Sequence, residues 1–492
     1  MPHSSDPSLR VARRRFLAGA ASVAAYSLVS GCGYTANNNS SGTPAVPVPP
    51  AGIVVQGTLT VTSTPVGVVP PQFMGLSYEK LAITYDYFHP SNHNLIAMFR
   101  RLGIGVLRLG GGSVDQLLWT SQGTGTHAQV AESDVKNLAG FLQATGWQCL
   151  YGINLATSTP ALAAEEASFA ASALGSALLG IELGNEPDEY GVAGKFFAGN
   201  WTFQDFLERW YSFRSAILQV APRIPITGPA TGGGNHISTW TLPFAQAVTP
   251  SELALLTQHY YRAPKENPDA TAAFLISPDT QLTGELITLR TGAQQLGIPY
   301  RISECNSFSG GGVPGVSDSY ASSLWVIDFL FDVALGGATG VNMHGGGNSP
   351  GYTPIADDSG AVIEARPEYY GLLLFSLAGS GTLLQTLLAA GSFNATAYAL
   401  KSAGGGLNLI VVNKDPEQTL QLTIQSNQNV RTANLQTMTG ASLAATSGVA
   451  IQGATVESDG SFAPAAPATL AVENSQISCS IGALSAALIT LA

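Results

Sequence analysis

The chain has 492 residues, of which only 11% are charged, with a net charge of -11. That length supports a large core and two domains. The acidic balance, with no cluster of Lys or Arg beyond the extreme N-terminal segment, excludes nucleic acid as a partner, because phosphate binding needs concentrated cations.

At the N-terminus, Arg13-Arg14-Arg15-Phe16-Leu17 fits a twin-arginine export signal, and an apolar stretch from Leu17 to Val29 follows it. Val29-Ser30-Gly31-Cys32 resembles a lipobox, which makes Cys32 the expected lipidation site and residues 1–32 a signal peptide. The expected location is therefore outside the cytoplasm, periplasmic or on the cell surface, with a lipid anchor to the membrane. Residues 33–52 are polar and then Pro-rich, the composition of a disordered linker. Cys149, Cys305 and Cys479 form neither a disulfide framework nor a metal spacing, and the 7 histidines are scattered along the chain. Neither a metal nor a cofactor is expected.

"GTLTVTST", within residues 53–68, alternates apolar and polar residues and is expected to add a strand to a distant β domain. From 69 to 365, short apolar runs alternate with helical patterns. The runs include "GVLRLGG", "CLYGINL", "LLGIELGNE", "LALLTQHYY", "YRISECN" and "TGVNMH". Eight such units predict an α/β fold, a (β/α)8 TIM barrel. Gly110 to Gly112 follow a strand without the Lys of a phosphate loop and read as a tight turn beneath a sugar site. From 366 to 492 the pattern becomes strict alternation punctuated by Gly, Asn, Asp and Ser, which predicts a C-terminal antiparallel β-sandwich domain.

Chemistry in a barrel sits at the C-terminal ends of its strands. Glu186, in "GIELGNEPDEY", is read as the last residue of strand four, and Glu304, in "YRISECNSF", as the end of strand seven. These strands face one another across the mouth, so the two carboxylates can approach within the ~5–5.5 Å of a retaining glycosidase. Arg108 has inward parity on strand two and can stabilise an ionised Glu304. Glu79 and Asp115 are candidates for sugar hydroxyls. Glu182 reads as a paired structural charge, Cys305 as a packed thiol, and His259 and His344 as structural histidines.

"LGNEPDEY" and "YRISECNSFSGGGVPGVSDSY" resemble the acid/base and nucleophile segments of glycoside hydrolase family 79, the β-glucuronidase and heparanase family among the clan A retaining glycosidases. "VLRLGGGSVDQLLW" and "QHYY" are similar to its second- and sixth-strand segments. The resemblance implies that Glu186 is the general acid and then base, that Glu304 is the nucleophile, and that Asn185 binds the sugar 2-OH. It implies a Tyr donor to Glu304, Tyr260 or Tyr261, with Tyr260 favoured. It also implies that Gly310 and Gly311, with Tyr352, hold the C6 carboxylate of a glucuronate. The expected substrate is a β-glucuronide or a glucuronate-containing oligosaccharide, cleaved by a monomer in exo fashion. The alternatives are a glycosidase of neutral β-glycosides, such as β-xylosides, and a non-catalytic surface carbohydrate-binding lipoprotein.

Overall fold

The computed structural model describes residues 53–492, apart from 123–124, 193–194, 198, 428–429 and 474–475. The export signal, Cys32 and the linker lie outside the described residues. Among those described, no helix is long and apolar enough to cross a membrane.

Eight parallel strands close into a barrel. In chain order they are Gly75–Glu79, Val106–Gly110, Gln148–Ile153, Leu178–Leu183, Ile226–Thr231, Leu255–Pro264, Tyr300–Ser309 and Val341–Gly345. Most of their residues are buried, because side chains fill the barrel on one face and meet helices on the other, and the runs are correspondingly apolar. Helices between them start and stop on local signals. Thr202 and Asp205 form a capping box at the head of Phe203–Val220. Gly297, at φ 75°, takes the left-handed residue that ends Thr280–Leu296. On Phe203–Val220, Phe206, Trp210 and Phe213 are buried at helical spacing, and Phe203 packs against them.

The second sheet has 11 strands and is mostly antiparallel. Its faces curl around a separate core that includes Leu59, Val61, Leu409, Leu422, Ile424, Ile477 and Ile489. Val54–Val69 lies inside this sheet, antiparallel to Gly381–Ala389 and parallel to Thr419–Ser426. A boundary at residue 366 needs correction. Helix Pro367–Ala378 belongs to the barrel, where Tyr369 donates to the Met98 carbonyl, Ser376 to the Leu102 carbonyl, and Ser323 to the Pro367 carbonyl. The helix is apolar nearly all round because its far side meets the second sheet, and that masks its periodicity.

Asp328, on helix Tyr320–Leu335, fastens the barrel to the sheet. It pairs with Lys414 and accepts hydrogen bonds from Thr396 at 2.5 Å and Tyr398 at 3.0 Å. Lys414→Met should leave this largely buried carboxylate unpaired and cost roughly 3–5 kcal/mol in urea unfolding, whereas Asp328→Leu combined with Lys414→Met should cost less. Equal losses in the two proteins would show that leaving Asp328 unpaired carries no penalty beyond loss of the pair.

Glu368 gives a pH dependence. Burial pushes its carboxyl up to about 8, against about 4.3 in an unfolded chain. The folded protein thus retains a proton that the unfolded chain releases. The stability gained is complete below pH ~4.3 and is lost as pH rises through the folded value. Glu368→Gln, neutral at every pH, should gain stability relative to the native protein as pH rises from about 5 to about 9. A pH-independent difference would mean that Glu368 is ionised in the fold.

Candidate active site

Arg108 leaves the second strand fully buried and pointing into the barrel mouth. Its Nε donates to Glu182 at 2.5 Å and its Nη1 to Glu304 Oε2 at 2.6 Å. Nη1 also reaches Ser77 at 3.3 Å, while Nη2 donates to Asn185 Oδ1 at 3.0 Å and lies 3.1 Å from His259 Nε2. Burial by itself would lower the guanidinium pKa, but Glu182 and Glu304 outweigh it and hold the group charged. Gly110 is glycine because a Cβ there would sit 2.4 Å from this guanidinium.

Glu304 receives a second hydrogen bond, from the Tyr261 hydroxyl to Oε1 at 2.9 Å. His344 Nδ1 lies 3.7 Å from its Oε2 and His259 Nδ1 4.0 Å from its Oε1. Burial pushes this carboxyl up, yet His344, His259, Arg108 and Tyr261 together hold it well below the usual carboxylate range. Glu304 is therefore ionised at neutral pH. It lies within strand seven rather than at its end, directly after an irregularity at which Gln258 opposes Ile302 and His259 opposes Glu304. Ser303 is the extra residue, and a bulge of this kind re-aims the side chain that follows it.

Glu186 stands beyond strand four, which ends at Leu183, and not on its last residue. It adopts φ 50° and ψ 58°, a left-handed conformation that costs a non-glycine residue about 1–2 kcal/mol. Two ties hold it there, its own N–H on the Ala230 carbonyl at 2.9 Å and its Oε1 3.1 Å from His259 Nδ1. One ligand atom each from Glu186, His259 and Glu304 lies within 4.8 Å of the others. That separation suits two carboxylates flanking one glycosidic bond in a retaining enzyme. Both Glu304 oxygens are engaged, Oε2 by Arg108 and Oε1 by Tyr261.

Asn185 spends its Oδ1 on Arg108, which leaves its Nδ2 to donate elsewhere. Asp115, expected at a sugar hydroxyl, has another job. It is 1% exposed and accepts from the Leu155, Ala156 and Asn185 amides and from the Tyr190 hydroxyl, so it knits loops together beneath the mouth. Tyr260, favoured above as the donor to Glu304, faces outward and donates to Asp279 at 2.5 Å. The inward residues of strand six are His259 and Tyr261. Alternation forces one tyrosine inward, but its phase follows from the pairing with strand seven. His259 and His344, read as structural, both line the mouth. His259 could have been found from its parity with Tyr261.

Glu79 is held at the rim by the Gly112 and Ser113 amides and the Ser113 hydroxyl. Gly111, at φ 68°, turns tightly beneath it, where a Cβ would lie 2.4 Å from its carboxylate. Gly310, Gly311 and Gly312 all have left-handed φ values of 73°, 97° and 83°. The run is fastened by the Tyr352 amide on the Gly311 carbonyl at 3.1 Å, and by Lys265 Nζ on the Gly310 carbonyl at 2.6 Å. The Tyr352 ring stacks on that of Tyr261, with centroids 5.8 Å apart. Cys305 faces away from the mouth as a buried thiol against the Asn342 carbonyl at 3.4 Å.

No protein-family model matches the chain. Over 253 residues it is 26% identical to a beta-glucuronidase of Aspergillus niger, in a match that covers 46% of this chain and 46% of that protein. The chain thus spans about half the length of the curated relative it matches. In fold it is similar to a 4-O-alpha-L-rhamnosyl-beta-D-glucuronidase from Fusarium oxysporum, with a TM-score of 0.74, 19% identity, and coverage of 88% of this chain and 100% of that one. A family 51 arabinofuranosidase from Xanthomonas axonopodis pv. citri gives a TM-score of 0.63 at 15% identity, covering 89% of this chain and 100% of that one. The chain is therefore similar in sequence, over part of its length, to a beta-glucuronidase, and its barrel with an appended sheet is a fold it shares with solved glycosidases.

Proposed function

We propose that the chain is an exported, retaining exo-β-glucuronidase. One observation carries the reading: an ionised carboxylate, Glu304, clamped by Arg108 and Tyr261, faces a second and more exposed carboxyl, Glu186, across the mouth. In the first step a Glu304 oxygen attacks the anomeric carbon as the bond to the leaving oxygen breaks. Glu186 gives its proton to that oxygen. In the second step Glu186 takes a proton from water, the water oxygen bonds to the anomeric carbon, and the ester to Glu304 breaks. Asn185 Nδ2 donates to the sugar 2-OH, a contact that strengthens in an oxocarbenium-like transition state.

For the C6 carboxylate the reading uses the Gly310–Gly312 turn. Glycine lets the backbone of this turn take left-handed φ values and approach an anion closely, and its N–H groups are the donors in this reading. Tyr352 stands beside it, and the Lys265 ammonium on Gly310 adds positive charge. The A. niger relative is a beta-glucuronidase, and the F. oxysporum neighbour is named for the same sugar. Arg13-Arg14 and Cys32 support export with an acyl anchor.

Glu304→Gln should abolish turnover of aryl β-glucuronides. Glu186→Gln should retain slow cleavage when the aryl group leaves readily as an anion, and azide should rescue Glu186→Ala as a β-glycosyl azide. An α-configured first product from the native enzyme would overturn the retaining mechanism.

Specificity tests the carboxylate site separately. Each charge-assisted hydrogen bond contributes about 1.5–3 kcal/mol, so kcat/KM for an aryl β-glucuronide should exceed that for the glucoside or xyloside by roughly a thousandfold. Gly311→Pro and Tyr352→Phe should each lower the glucuronide value more than the other two. A native enzyme that prefers the xyloside would remove the glucuronidase assignment and leave the glycosidase.

A further inference from the structure

Helix Tyr320–Leu335 is buried along most of its length, yet it carries two acids, Asp328 and Asp332, one turn apart. With Trp325 and Phe329 they share one helix face, which borders a cavity of about 360 Å³ between the barrel and the second sheet. A second wall is the turn before helix Thr280–Leu296, where Arg262 Nη1 lies 3.1 Å from Asp279. The sheet supplies the third wall, through Phe393–Thr396, Tyr398 and Lys414. The cavity is separate from the mouth. It lies on the outer side of strand six, to which Tyr260 and Arg262 turn while Tyr261 turns to Glu304. Three of its polar groups have bonding capacity to spare. Lys414 has 4% of its side chain exposed, and among the described residues only one of its three N–H donors meets a partner, on Asp328. The Trp325 indole N–H, on a residue 3% exposed, has no hydrogen-bond partner among the described residues. The Asp332 carboxyl has none either. Burial and the neighbouring Asp328 push it up to about 7, so near neutral pH it can donate as well as accept.

We propose that this cavity binds one neutral pyranose unit of a saccharide, at a site apart from the catalytic mouth. It stands whether or not the mouth cleaves glucuronides. Unmet donors on buried side chains are costly, and a seam that served adhesion alone would be made as well from apolar residues. Charge then fixes the class of ligand. Arg262 pairs with Asp279 and Lys414 with Asp328, which leaves Asp332 without a cation of its own. An anion would meet three carboxyl groups, and a cation would meet an ammonium and a guanidinium. Hydroxyl groups, each a donor and an acceptor, satisfy Lys414, Trp325 and Asp332 together. Asn394 adds an exposed amide at the rim. Leu282 and the partly buried Phe393 give the C–H face of a sugar an apolar wall. The volume lies near the lower end for small-molecule sites, which suits a single ring.

The test follows the indole N–H signals of the 6 tryptophans by NMR, with that of Trp325 identified by its loss in Trp325→Phe. Methyl β-D-glucopyranoside, methyl β-D-galactopyranoside and methyl β-D-xylopyranoside are titrated in turn. At least one should shift the Trp325 signal saturably, with a Kd of roughly 10 mM or tighter. Excess glucuronate, an anion, should not displace it, and glucosamine, a cation, should bind more weakly. Asp332→Leu, and Asn394→Ala at an exposed position, should each weaken binding about fivefold, the loss of one hydrogen bond. Unchanged signals from the other tryptophans show that each variant is folded. Absence of a saturable shift with all three glycosides overturns the proposal, as does displacement by glucuronate or a preference for glucosamine. Equal affinity in the native protein and both variants places the sugar elsewhere and also overturns it.

Discussion

One buried guanidinium organises the mouth of this barrel. Arg108 makes contacts to five side chains, Ser77, Glu182, Asn185, His259 and Glu304, drawn from strands one, four, six and seven and the turn after strand four. Taking such a charge out of water is expensive, and the cost is met only when its fork is fully used. Here two carboxylates neutralise it, and the remaining donor meets an amide oxygen that is itself needed in a fixed orientation. Asn185 turns its Oδ1 to Arg108, which leaves its Nδ2 for the role proposed above at the sugar 2-OH. One cation thus orients both Glu304 and Asn185.

The same constraint separates the two acids chemically. Glu304 is 7% exposed and surrounded by donors, whereas Glu186 is 26% exposed and, among the described residues, its carboxylate meets His259. The double displacement proposed above uses such an asymmetry, because it needs one carboxylate to attack and a second carboxyl to give a proton. His259 stands 3.1 Å from Glu186, 4.0 Å from Glu304 and 3.1 Å from Arg108, so one imidazole borders all three groups. Its ring nitrogens are distinct, with Nδ1 toward the acids and Nε2 toward the guanidinium.

The barrel, the second sheet and the pairing of Glu186 with Glu304 were legible because each rests on long-range regularity. Apolar runs recur at the spacing of β/α units, and an acid near the end of a strand stands out in a chain so short of charge. What stayed hidden depended on one-residue offsets. Nothing in "QHYY" reveals that Ser303 is an extra residue opposite strand six, yet that offset accompanies the inward placement of His259 and Tyr261 and leaves Tyr260 to Asp279. Asp115 shows a second limit. An acid after a glycine turn resembles a sugar ligand from sequence, but three amides from two later segments converge on it. Helix Pro367–Ala378 was misassigned for a third reason, since a helix covered on both sides has no polar stripe to reveal it.

Asp115 and Asp188 explain how a strained acid can be held in place without a rigid strand beneath it. Asp115 binds the loops after strands three and four from one side, through Leu155, Ala156 and Asn185. From the other side Asp188, two residues beyond Glu186, accepts from the Gly232 amide after strand five at 3.0 Å and pairs with His236. Glu186 lies between these two anchors, and its left-handed backbone persists because both neighbours are over-determined. Buried carboxylates that accept backbone N–H groups fix three loops at once, which apolar packing could not do with the directional accuracy that catalysis requires.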